Sequence, residues 1–392
     1  MIVRRLLVAV LALLLAGLVG RVAAVRALAQ PDPMRAQAVW PAHPRVRIEA
    51  GLVAIAQAAR HGRTVDRATM AGIFEASARA PLAADPFLVR GVQAQLAGDL
   101  GLAERAFRAA RDREARSLPA RYFLADLYLR NGDADRGLAE VAVLARLAPN
   151  GVDKLAPYVA TYARDRANWP QVRAMFAREP PLENASLRAL AAEPENADAV
   201  LALASRGRRT AASSWLPVLV ATLTDAGQYA KARRIWSQVA NVRGAGGATI
   251  FDPHFTDAGP PPPFNWTLTS STVGLAERQA GRGLHIIYYG NQDGVLASQL
   301  LVLPPGRYRL GTDAPGLLAT AASLRWTLYC ARGNGAIASA PLDKAASGGM
   351  RFAVPESCPA QRLELAGTAA DLTQSSDLVI RSLALSRDQS GG

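Results

Sequence analysis

Hydrophobic and polar positions fall into three textures along the chain. Residues 6–20, LLVAVLALLLAGLVG, carry no charge and follow the basic start MIVRR. From about residue 36 to 247, apolar residues recur every three to four positions, the period of helices that bury one face. Gly and Pro interrupt that pattern often, which predicts helical hairpins rather than long helices. Beyond about residue 250 the pattern shortens to alternation. FNWTLTS, LHIIYYG, ASQLLVL, LRWTLYCA, MRFAVP, QRLELAG and DLVIRSLALS are short runs rich in β-branched and aromatic residues. Turn signals at Gly290-Asn291, Pro304-Pro305-Gly306, Gly333-Asn334-Gly335 and Gly348-Gly349 separate them. Seven or eight short strands with no helix between them predict an antiparallel sandwich. Four prolines, 260–263, stand between the two textures. They read as a stiff, extended lead-in that ends the helices and spaces two modules.

The first texture is an export segment, residues 1–29: a basic start, then an apolar run. Arg4 and Arg5 stay on the cytoplasmic side, which places the rest of the chain outside, in the periplasm of a bacterium. Two outcomes stay open. The segment is cleaved after the small-x-small triplet Ala27-Leu28-Ala29, or it is kept as a single-pass anchor in the inner membrane. Arg21 and Arg26 lie between the apolar run and the triplet, an arrangement that favours the anchor. The run carries no Cys, so lipoprotein processing is excluded.

In the helical region, 31–247, the hairpins have a period. PFLVRGVQAQLAGDLGLAERAFRAARDREA (86–115) turns at Gly98-Asp99, and the next hairpin turns 34 residues later at Gly132-Asp133. The pattern resembles the tetratricopeptide repeat. Matched position by position, Gly91 and Ala125 are the small residues of the first helix and Tyr128 its aromatic. Ala103 and Gly137 are the small positions of the second helix, and Pro149 closes the repeat. Ala115 stands where a closing proline is usual. A weaker unit fits 153–180, and WLPVLVATLTDAGQYAKARRIWSQV (215–239) gives another clear one. The resemblance implies an all-α solenoid whose curved face binds a protein partner.

Residues 248–263 are then a Pro-rich linker and 264–388 the sandwich. The strand order and the PPG-x-Y-x-L segment, with Gly306, Tyr308 and Leu310, resemble jelly-roll domains of the carbohydrate-binding type. Taken whole, the chain resembles bacterial envelope repeat proteins found with exopolysaccharide systems. That resemblance implies a polysaccharide ligand for the sandwich.

Composition changes this picture in three places. Only Lys154, Lys231 and Lys344 of the 45 basic residues are Lys; the rest are Arg. The net charge of +13 lies wholly before residue 248, because 248–392 holds eleven basic and eleven acidic residues. No aromatic-basic motif accompanies that charge, so it points to lipid headgroups, an anionic polymer or a solvated helical face, and not to nucleic acid. Both cysteines, Cys330 and Cys358, fall in the sandwich, which in an oxidising compartment suggests a disulfide; two buried thiols are the alternative. The four His are scattered, and no metal-ligand spacing or cofactor motif appears.

Sugar recognition needs an exposed aromatic face with amides or carboxylates beside it. The candidates are Trp266, Tyr288, Tyr289 and Trp326, with Asn265, Asn291, Gln292 and Asp293 near them in sequence. Tyr288 and Tyr289 are neighbours on a strand and point to opposite faces, so one is core. Trp266 and Trp326 fit a core as well as a platform. Glycoside hydrolysis needs two carboxylates across a cleft, and no such pair, nucleophile elbow, HExxH or phosphate loop is recognisable. The expectation is a non-catalytic envelope adaptor. A purely structural protein is the alternative, and a polysaccharide-acting enzyme the remotest one.

Overall fold

The structure is a computed structural model that describes residues 2–61, 63–242, 250–316, 323–333, 335–370 and 375–388. Residues 243–249, which hold the expected start of the linker, and Asn334 of the expected 333–335 turn lie outside them. The chain divides into two compact units, Met1–Gly151 and Val152–Gly392.

The first unit is helical throughout: α1 (Ile2–Leu28), α2 (Pro33–Val39), α3 (Pro44–Arg60), α4 (Arg67–Arg79), α5 (Asp85–Leu96), α6 (Leu100–Arg113), α7 (Leu118–Arg130) and α8 (Ala134–Leu147). The two Gly-Asp turns do the same work at each hairpin. Gly98 and Gly132 sit at φ +80° and +79°, a region open to glycine at little cost. Each ends a helix in a Schellman turn, with Asp99 N–H donating to Ala94 O and Asp133 N–H to Tyr128 O, both at 2.9 Å. The same aspartates then cap the next helix: Asp99 Oδ1 accepts from Leu102 N–H and Asp133 Oδ1 from Arg136 N–H. One dipeptide therefore stops one helix and starts the next.

The small residues allow the helices to approach. Gly91 lies against the Phe107 ring, and Gly137 against Leu129. Ala94, Ala103, Phe107, Leu124 and Tyr128 form one core cluster, with Phe107 stacked on Phe123 at 4.9 Å. Glu140 is buried on α8 and is held by Arg111 at 2.8 Å and Arg121 at 2.6 Å. Two guanidinium groups on one carboxylate tie α6, α7 and α8 together and pair the buried charge of Glu140.

The second unit begins with α9 (Gly151–Ala163), α10 (Trp169–Arg178), α11 (Pro180–Leu190), α12 (Ala197–Leu203), α13 (Trp215–Asp225) and α14 (Tyr229–Val239). The α13–α14 turn repeats the earlier device, with Gly227 at φ +73° and Gln228 N–H donating to Leu223 O at 2.8 Å. Eleven strands follow among the described residues: β1 (Thr267–Leu268), β2 (Gly274–Gln279), β3 (Gly283–Tyr288), β4 (Gly294–Leu301), β5 (Gly306–Asp313), β6 (Leu324–Cys330), β7 (Ala336–Pro341), β8 (Met350–Val354), β9 (Gln361–Gly367), β10 (Ser376–Ile380) and β11 (Ser382–Arg387). All pairings are antiparallel. One sheet has the order β1-β4-β9-β6-β7; the others are β10-β3-β2 and β11-β5-β8. Only Arg381 separates β10 from β11, and its N–H donates to Asp313 O at 2.7 Å, so the two three-stranded sheets run on from one another. Alternate residues of every sheet meet in a single core that includes Ile286, Tyr288, Leu310, Trp326, Phe352, Leu365 and Leu383.

Several expectations are corrected. A short helix, α15 (Leu342–Gly348), stands between β7 and β8, where none was expected; LDKAASG has the Ala content for one turn and no strand pattern. FNWTLTS is a strand only at Thr267–Leu268, because Phe264 and Trp266 are spent on packing and the Asn265 side chain on backbone carbonyls. GLAERQ forms β2 despite its poor β-propensity, since its whole length pairs with β3 and Gly274 and Ala276 are buried.

The prolines do not act as a spacer. Trp236 Nε1–H on α14 donates to Pro261 O at 2.7 Å, Leu300 N–H to Pro263 O at 2.8 Å, and Asn265 Nδ2–H to Pro260 O at 2.7 Å. Upstream, Gln299 donates to Phe251 O and accepts from Phe251 N–H, while Arg278 pairs with buried Asp252 at 3.2 Å and donates to Asn265 Oδ1. The segment 250–266 is thus wedged between α14 and the strands, and the compact units part at residue 151 rather than at the prolines. Cys330, at the end of β6, is disulfide-bonded to Cys358 before β9, with Cα atoms 5.6 Å apart.

Candidate functional site

The candidate sugar-binding residues do not converge. Trp266, Tyr288 and Trp326 are core residues, 3%, 0% and 0% exposed. Trp266 and Trp326 pack on each other with ring centroids 6.0 Å apart, and Trp266 Nε1–H donates to Asp252 O. Tyr288 packs over Gly367, where a side chain would collide with its ring, and its hydroxyl donates to Gln292 O at 3.1 Å. Tyr289 points the other way and is 43% exposed, as the pleat requires of its neighbour. Asn291 and Asp293 are exposed in the β3–β4 turn, but the Asp293 carboxylate accepts from Ala369 N–H at 2.8 Å and Gln292 donates to Thr272 Oγ1. Asn265 is buried in the segment leading to β1. Tyr289, Asn291, Gln292 and Asp293 are the candidates that remain at the surface.

A different set shares one surface. On the five-stranded sheet, Trp326, Leu328, Leu363 and Leu365 face the core, so Arg325, Thr327, Tyr329, Arg362 and Glu364 lie on the opposite face, where Arg325 is exposed, Tyr329 and Arg362 half-buried, Glu364 mostly covered and Thr327 buried. Register places Thr327 beside Glu364 and Ser339, and Tyr329 beside Arg362. Thr327 Oγ1 lies 3.0 Å from Ser339 Oγ, and Arg325 Nη1–H donates to the same oxygen at 3.1 Å. Arg362 pairs with Glu364 at 2.5 Å and stacks over Tyr329 at 5.3 Å. Neighbouring strands lie ~4.8 Å apart, so these side chains stand next to one another across β7, β6 and β9. Arg332 Nη2–H donates to Ala226 O at 3.0 Å, which brings the α13–α14 turn to the end of this face. The polar positions alternating within LRWTLYC and QRLELAG are the sequence signal for this face, and they carry one aromatic residue, Tyr329.

The β10-β3-β2 sheet holds a charged cluster around His285. His285 on β3 lies 2.7 Å from Asp377 and 3.4 Å from Glu277. Burial alone would lower its pKa, but the hydrogen bonds to Asp377 and Glu277 prevail and hold it above the ordinary value. No group of three His, Cys, Asp or Glu residues is placed to hold a metal among the described residues.

On the helical unit, Tyr122 is the large exposed aromatic of α7, 60% accessible, and edges onto Phe123. Asp126 and Arg130 follow it at four-residue intervals and pair at 2.7 Å, so the three share one exposed helix face.

No family model matches the chain, and no curated protein does. Among solved structures, one described as Naa15/Naa10 bound to HypK-THB is similar at 13% identity and a TM-score of 0.24, over 54% of this chain. The chain spans 33% of the length of that structure's chain. At that score the likeness fixes neither a common fold nor a common role.

Proposed function

We propose that the protein is a non-catalytic adaptor of the bacterial cell envelope. Its helical hairpins form a tetratricopeptide-like solenoid that binds a protein partner, and its strands a jelly roll that docks on a polysaccharide. What supports the solenoid is the Gly-Asp turn recurring with identical hydrogen bonds 34 residues apart. The jelly roll is supported by strand order: β3-β10/β11-β5-β8 opposite β4-β9-β6-β7 interleaves early and late strands in both layers, with β1 and β2 added at the edges.

The observation that carries the glycan assignment is the outward face of the five-stranded sheet. Its accessible groups are the Ser339 hydroxyl and the Arg325 and Arg362 guanidiniums, with Tyr329 half-buried beneath Arg362. Among its described strand positions Glu364 is the one acid, which suits binding rather than a two-carboxylate hydrolysis. The test is a glycan array with the full chain in detergent, comparing the parent with Tyr329→Ala and Glu364→Gln. Retention of an exopolysaccharide by the parent, lowered at least tenfold in both variants, is the expected result. Equal retention by all three would remove this face from the reading, and no retention by the parent would remove the glycan. A structural terminus without a ligand is the second reading. It is favoured by the burial of Trp266, Tyr288 and Trp326, which leaves the sandwich few exposed rings.

A further inference from the structure

The two fates of the N-terminal segment leave different molecules behind, and the packing of α1 separates them. From Leu6 to Val19 its large apolar side chains stand open; Leu6, Leu13 and Val19 are 65%, 74% and 66% exposed. The environment then changes within two turns. Val25 and Ala29 are fully buried and form a core cluster with Ala36 and Val46, onto which Leu28, Val39 and Trp40 pack. The helix does not break between the two zones. Ala29 N–H donates to Val25 O at 2.8 Å and Asp32 N–H to Leu28 O at 2.9 Å, so Ala27 and Leu28 close the helix and Ala29 begins the turn that leads to α2.

Arg21 marks the junction. Its Nε–H donates to Val39 O at 3.0 Å, and its guanidinium lies 4.4 Å from the centre of the Trp40 ring. Arg4 and Arg5 mark the other end. From Arg5 to Arg21 a helix rises about 24 Å. Arg side chains reach outward along their stems, which closes the gap to a hydrocarbon layer of ~30 Å. Within α1 the exposed large apolar side chains all lie between these charges, from Leu6 to Val19, a continuous stretch that a lipid bilayer would cover. Trp and Arg together at its edge are the residues that settle at headgroup depth, one amphipathic and the other cationic.

We propose that α1 is retained as a bilayer-spanning anchor and that the Arg21–Trp40 stack seats the first helices of this unit on the membrane surface. Cleavage after Ala29 would remove Val25, Leu28 and Ala29 from their own core and leave Ala36, Val46 and Trp40 uncovered. The same helix is therefore anchor at one end and folded structure at the other. The inference does not rest on the adaptor reading, since it concerns only how the chain is held.

Two measurements on the full chain, expressed in a Gram-negative host, test it. The first is mass spectrometry of the amino terminus in the carbonate-washed membrane fraction. Peptides covering residues 6–29 are expected there, and a mature chain beginning at Gln30 would overturn the proposal. The second is tryptophan quenching in phosphatidylcholine–phosphatidylglycerol vesicles whose lipids carry bromine high on the acyl chains. Trp40→Phe should remove at least half of the quenching seen with the parent. Quenching unchanged by that substitution would overturn the seating of Trp40 at the membrane, whatever the fate of α1.

Discussion

Trp236 is where the helices and strands of the second unit are joined, and its removal should uncouple them. The side chain is fully buried on α14. Its ring meets Phe251 edge-on at 5.0 Å and Phe264 at 5.7 Å, and its Nε1–H donates to Pro261 O at 2.7 Å. Arg233 lies over the same ring at 4.8 Å, and burial pushes that guanidinium down to about 10. Truncating a buried tryptophan costs about 3–5 kcal/mol in transfer and cavity terms. The carbonyl of Pro261 also loses its donor, worth about 1 kcal/mol if water does not replace it. Trp236→Ala should therefore lose about 4 kcal/mol, a large part of the 5–15 kcal/mol typical of a domain. Trp236→Phe keeps most of the ring contact and loses the hydrogen bond, so about 1–2 kcal/mol is expected. Urea unfolding of the full chain in mild detergent, followed at 222 nm and by near-ultraviolet circular dichroism, gives the two values. Limited proteolysis adds a positional readout: the alanine variant should be cut between residues 250 and 262 faster than the parent, whose segment there is packed. Trp236→Ala within about 1 kcal/mol of the parent, and uncut in that window, would refute the claim that helices and strands form one unit.

Two further outcomes follow from the sandwich. Cys330 and Cys358 close a loop with a sequence separation of 28, so Cys330→Ser should destabilise the second unit by roughly 3 kcal/mol; unchanged urea midpoints under oxidising and reducing conditions would contradict this. His285 has its pKa raised by Asp377 and Glu277. The stability it contributes is therefore full below the unfolded value near 6.5 and is lost as pH rises through the folded value. The stability gap between the parent and His285→Gln should be wider at pH 5.5 than at pH 8; a gap that widens toward pH 8 would reverse the assignment.

The sequence by itself determined the local structure. The Gly-Asp pairs at 98–99 and 132–133 place both hairpin turns, because a left-handed glycine and a capping carboxylate are properties of one dipeptide and its neighbours. The alternating runs beyond residue 280 place most of the strands, and the uncharged run 6–20 marks the exposed part of α1, for the same reason. Tertiary structure decided what those elements touch. Four prolines in a row suggest a spacer, yet their carbonyls accept from Trp236, Asn265 and Leu300, partners up to 37 residues away in sequence. Trp266 and Trp326 have the character of sugar platforms, but which face of a strand is inward depends on the sheet laid against it, and here they fill the core. The row Arg325, Thr327, Arg362 and Glu364 on the face away from the core exists only because β6 pairs with β9 across thirty intervening residues. Side-chain chemistry is written along the chain; the convergence of side chains is set by strand order, which alternation alone does not encode.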